Sequence, residues 1–82
     1  MVESLVLIEG GGEHPLDDDE LCGVSLSNAK HVIVGEAPGA RIVVHVAATS
    51  LDDLRNALLE FGGVSGVGGV VTLALWPVAG ER

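Results

Sequence analysis

The segment "RIVVHVAATSLDDLRNALLEFGG", residues 41 to 63, changes its hydrophobic period once, at Thr49 and Ser50. Before that point the residues are β-branched or small and suit a strand. After it, Leu51, Leu54, Leu58 and Phe61 recur at helical spacing and would form one apolar face. Ser50 is a good N-cap, Asp52 and Asp53 occupy the first turn where the helix dipole favours carboxylates, and Gly62 or Gly63 supplies the C-cap. A helix over about residues 50–62, fed directly by a strand, must lie back on a sheet.

Upstream, "KHVIV" is a second β-branched run, separated from "RIVVHVAA" by the turn-forming "GEAPGA". The pair reads as a hairpin. With Val34 opposite Ile42, strict antiparallel register sets His31 against His45 on one face and leaves Val32, Val34, Ile42, Val44 and Val46 as the helix-facing set. "SLVLI" at residues 4 to 8 reads as a first strand and "VVTLALW" as a last one stopped by Pro77, with residues 78–82 as a frayed tail. Between the first strand and the hairpin, residues 9–29 form an irregular acidic segment, in which "DDDELCG" suits one short helical turn and "GVSLS" an alternating strand. The order of elements implies a single α+β domain over residues 1–82. If the acidic segment holds a helical turn, the domain is ferredoxin-like, a split βαβ arrangement or a variant of it, with one well-defined helix on an antiparallel sheet.

The bulk properties narrow the partners. A formal charge of −8 repels phosphate backbones and anionic lipid surfaces, so neither direct nucleic-acid nor membrane binding is expected. One Cys forms no internal disulfide, and "MVESLVLIEGG" carries neither a basic leader nor an apolar run of spanning length, so the cytoplasm is the expected compartment. Hydrophobic residues make up 48% of the chain but aromatics only 2%, which favours sheet packing over an aromatic-lined cleft.

From residue 33 the stretch "IVGEAPGARIVVHVAATSLDDLRNALLEFGGVSGVGGVVTLAL" resembles the effector-binding domain of the leucine-responsive/AsnC-type regulators, which also occurs as stand-alone proteins. The likeness covers a strand ending in Gly35, a second strand, a Leu-patterned helix, and "GV" at 66 and 67 followed by Thr72. The family's Gly-x-aromatic-Asp turn between the middle strands is replaced here by "GEAPGA". The resemblance implies a ferredoxin-like fold, assembly into oligomers, and a small effector such as an amino acid held at a subunit interface by Gly35, Glu36, Gly39 and Thr72. It implies no cofactor.

Other patterns point away from site chemistry. "EHPLDDDELCG" has one His, one Cys and contiguous acids, whereas zinc sites use paired His and Cys ligands and calcium loops alternate their oxygens around a central Gly. It reads as a solvated acidic loop, and Cys22, with no basic neighbour, as a buried or inert thiol. "GGVSGVGGVV" leaves a helix and enters a strand, the reverse of a phosphate-binding loop. His31 and His45 are the remaining candidates, as a proton-sensitive pair or as two metal ligands completed across a dimer. The resulting expectation is a homo-oligomeric binding or regulatory module, at least a dimer, that leans away from being an enzyme. A structural or accessory protein-interaction subunit and a small cofactor-free dimeric α/β-barrel enzyme are the alternatives.

Overall fold

The computed structural model describes residues 1–11, 16–39 and 41–78. The chain forms β1 (Val2–Gly10), α1 (Asp18–Cys22), β2 (Ala29–Ala37), β3 (Arg41–Ala48), α2 (Leu51–Gly62) and β4 (Val67–Pro77). The domain is α+β: the strands make one open antiparallel sheet in the order β2-β3-β1-β4, and both helices bury their apolar residues in the same core.

That core lies between the helices and one sheet face. Val6 and Ile8 of β1 and Ile42, Val44, Val46 and Ala48 of β3 point into it, as do Leu21 of α1 and Leu54, Ala57 and Phe61 of α2. The strict alternation of buried and half-buried residues along β3 is the period-2 signature of a strand with one covered face. The expected helix is present with its caps: Ser50 Oγ accepts from Asp53 N at 3.2 Å, and Gly63 closes the C-terminus. Its buried stripe is Leu54, Ala57 and Phe61, with Leu58 half-buried. Leu51, expected on the apolar face, is 57% exposed.

The segment expected to be irregular holds more order. β1 runs on to Gly10, and "DDELC" forms a second helix whose N-cap, Asp17, accepts from Asp19 N at 2.9 Å. The acidic run is thereby explained: Asp18, Asp19 and Glu20 occupy the first turn, where unpaired backbone N–H groups favour negative charge. Leu21 is fully buried and anchors the turn, while "GVSLS" forms no strand. Glu13, His14 and Pro15 lie outside the described residues, as do residues 79–82 of the expected tail. Val78 N still donates to Met1 O at 2.9 Å.

At the other end of β1 the chain is held by close backbone approach. Gly11 N donates to Gly66 O at 2.8 Å, and a Cβ built on Gly68 would sit 2.7 Å from Gly11 Cα. No larger residue fits at Gly68. A second irregularity in the β1–β4 ladder falls between Leu5 and Val6, where Ser4 Oγ donates to Ala74 O at 2.8 Å and so satisfies a carbonyl beside the bulge.

Core position sets the mutational response. Leu54→Ala should cost about 2–5 kcal/mol, Leu58→Ala less because half its surface change is already in contact with water, and Leu51→Ala within about 0.5 kcal/mol. Denaturant melts of the three variants check this ranking.

Candidate functional site

The two histidines lie on opposite faces of the sheet. β2 and β3 are joined through a turn at Pro38 and Gly39 (φ 84°), with Ala37 opposite Arg41, and Val34 is an extra residue in the ladder between Ile33 and Gly35. His31 therefore stands opposite Val46, and His45 opposite Val32. The expected His31–His45 opposition is corrected by this one-residue difference in register, which moves a whole strand's side chains to the other face. Val32 and Val34 are corrected with it: they are 59% and 60% exposed, on the side away from the helices.

Each histidine has its own partners. His31 faces the helices, where its Nε2 donates to Leu21 O at 2.7 Å and its ring meets Phe61 edge-on at 5.1 Å between centroids. It is a strut between β2, α1 and α2. His45 lies on the open face, 3.3 Å from Glu3 Oε1 and 6.2 Å from the Trp76 ring centre. Among the described residues no three His, Cys, Asp or Glu side chains come together as a metal-holding group. Cys22, expected to be buried or inert, is exposed at the end of α1.

The residues assigned to an effector are spread out. Gly35 and Glu36 belong to β2 and not to a loop, and only Gly39 sits in the turn itself. Arg41 Nε bonds to Pro38 O at 2.7 Å across that turn. Thr72 is on β4, opposite Val6, at the far edge of the sheet. Three strand spacings of about 4.8 Å put some 14 Å between β2 and β4. One subunit cannot close a small site around Gly35 and Thr72 together.

Two further surface features emerge from the pairing register and the helix packing. The first is the open face of the sheet, which registers into cross-strand rows. One row is Val32, His45, Leu5 and Ala74; the next is Gly35, Val43, Leu7 and Val71, with Val34 bulging beside it. Outside these apolar rows, Lys30 and Glu3 flank one end and Arg41 and Glu9 the other. The second feature is a groove of about 740 Å³ between α2 and the start of β4, walled by Arg55, Leu58, Leu59, Val67 and Val70.

The chain matches no protein-family model, and neither a curated protein nor a solved structure matches it. No described helix is long and apolar enough to cross a membrane.

Because the two rings are separated by the sheet, a double-mutant cycle with His31→Gln and His45→Gln should give a coupling energy below about 0.5 kcal/mol. The His31 change alone should be destabilising, since it removes the 2.7 Å imidazole contact to Leu21 O and leaves that carbonyl the longer 3.4 Å bond from Val24 N. Chemical denaturation of the two single variants and the double variant measures both quantities.

Proposed function

We propose that this chain is a small binding module that works as a homodimer, with the open sheet face as its interface. The observation that carries the reading is the uncovered apolar surface: Val32, Val34, Val71 and Leu73 are between 45% and 60% exposed, on a sheet whose other face carries the core and both helices. A four-stranded face about 19 Å wide and some 30 Å long, from ordinary strand spacing and rise, matches the ~800 Å² per partner of a standard interface once side-chain relief is included. Its layout also suits self-association, with an apolar centre and a charged rim in which each end carries one cation and one carboxylate. A copy of the same face meets no uniform field of like charge.

The βαββαβ order with β2-β3-β1-β4 strand arrangement supports a ferredoxin-like reading, and with it the resemblance to AsnC-type effector-binding domains. In a dimer whose twofold axis runs along the strands, the β2 edge of one subunit lies over the β4 edge of its partner. Gly35, Glu36 and the Gly39 turn then approach the partner subunit's β4 edge, where Thr72 lies. A small effector such as an amino acid would be held there, between subunits, and would raise the melting temperature of the dimer.

Light scattering across a dilution series tests the interface. The wild type should have a dimer mass at micromolar concentration, and Val43→Glu, which places a carboxylate in the centre of the apolar rows, should be a folded monomer. A wild type that stays monomeric throughout overturns the reading.

A further inference from the structure

The two edges of the sheet are built differently. β2 carries Lys30 and Glu36 and interrupts its ladder at Val34, all devices that keep an edge strand from pairing with another chain. β4, "VGGVVTLALWP", has no charged residue in its 11 positions, and its one proline is the last of them. Its single neighbour is β1, so on its other side about half of its backbone N–H and C=O groups have no ladder partner among the described residues.

Beside this bare edge, on the helix side, runs the groove between α2 and β4. Leu59, at 72%, is the most exposed large apolar side chain of the domain, and it stands over the groove with Leu58, facing Val67 and Val70. A Cβ built on Gly62 would meet nothing within 4 Å, so the end of the groove is left open by a residue that packing does not require to be glycine. Arg55 lines the same groove one helical turn before Leu58 and Leu59, and it makes no ion pair or side-chain hydrogen bond among the described residues. In a chain with 12 acidic and 4 basic residues, a guanidinium beside an apolar groove with no partner among the described residues is a notable allocation of positive charge.

We propose that β4 accepts an extended peptide as a fifth strand, with the peptide's C-terminal carboxylate on Arg55 and an apolar side chain between Leu59 and Val70. Strand addition supplies main-chain hydrogen bonds along β4, the groove selects an apolar residue, and the guanidinium reads the carboxylate. Charge complementarity favours this occupant over a second copy paired edge to edge, because β4 has no carboxylate to offer Arg55. The site lies on the helix side of β4 and does not depend on the sheet interface proposed above.

The probes are fluorescein-labelled octapeptides of alternating valine and threonine, ending in valine, leucine or phenylalanine, each as free acid and as C-terminal amide. Anisotropy titrations are run on wild type, on Val43→Glu, and on Arg55→Gln and Leu59→Glu, both at exposed positions. At least one free acid should bind saturably to wild type and equally to Val43→Glu. The matching amide, Arg55→Gln and Leu59→Glu should each weaken binding by about tenfold or more, the value of one lost charge-assisted contact. Equal affinity for acid and amide, an unchanged Arg55→Gln, or no saturation by any probe up to about 1 mM overturns the proposal. So does a Val43→Glu protein whose mass doubles with concentration and is unaffected by peptide, since the edge would then belong to a second copy. Loss of peptide binding with an intact dimer counts against this site alone, and a monomeric wild type that binds the free acid counts against the sheet interface alone.

Discussion

The burial of Phe61 is the contact on which the arrangement of the other elements depends. Its ring is fully enclosed at the C-terminal end of α2, meets His31 of β2 edge-on, and through that imidazole connects to Leu21 O at the end of α1. One aromatic side chain thus joins three elements in a protein with only one Phe, one Trp and no Tyr. A five-residue helix has too few hydrogen bonds to persist alone, so α1 exists because Leu21 is buried and its last carbonyls are engaged. The acidic first turn contributes at the other end of the same short helix.

From that packing comes the asymmetry of the sheet. A chain of this length supplies enough helix to cover one face of four strands, and both helices go to the face where the β3 valines and the β1 core residues converge. The opposite face keeps Leu5, Leu7, Val43, Val32 and Val34 in contact with water. Small domains bury a modest share of their surface when they fold alone, and association is one way to bury the rest. The same shortage of covering elements leaves β4, among the described residues, with an unpaired edge and α2 with an exposed Leu59.

What could be read from the residues was the part governed by local rules. The Ser50 cap, the Leu54 and Phe61 positions, the span of β3 and the α+β class follow from periodicity and capping, which need no knowledge of distant partners. The relation of His31 to His45 needed the pairing register, and register depended on a turn shorter than "GEAPGA" suggested, because Gly35, Glu36 and Ala37 belong to β2, and on an extra residue at Val34. Neither feature has a reliable local signature, and an error of one residue exchanges the two faces. Ala57 was missed for a related reason: its small side chain adds little to a hydrophobic pattern, yet its place between Leu54 and Phe61 lets the helix sit close on the sheet. The groove at Arg55 depends on how α2 crosses β4, a tertiary relation that no spacing within one segment encodes.

The glycines around β4 connect these observations. Gly68 is required where β1 and β4 nearly touch, since any side chain there would strike Gly10 and Gly11. Gly62 faces open space and has no such requirement. The first kind of glycine lets β4 pass close to the end of β1, and that approach, with the ladder irregularity between Glu9 and Gly10, brings the start of β4 beneath the end of α2. The second kind leaves room at the place this creates. Backbone closeness on one side of the strand and vacancy on the other have a common origin in "GGVSGVGG". Its glycines do not cradle a phosphate at a helix N-terminus; they set the distance between a helix and an unguarded strand edge.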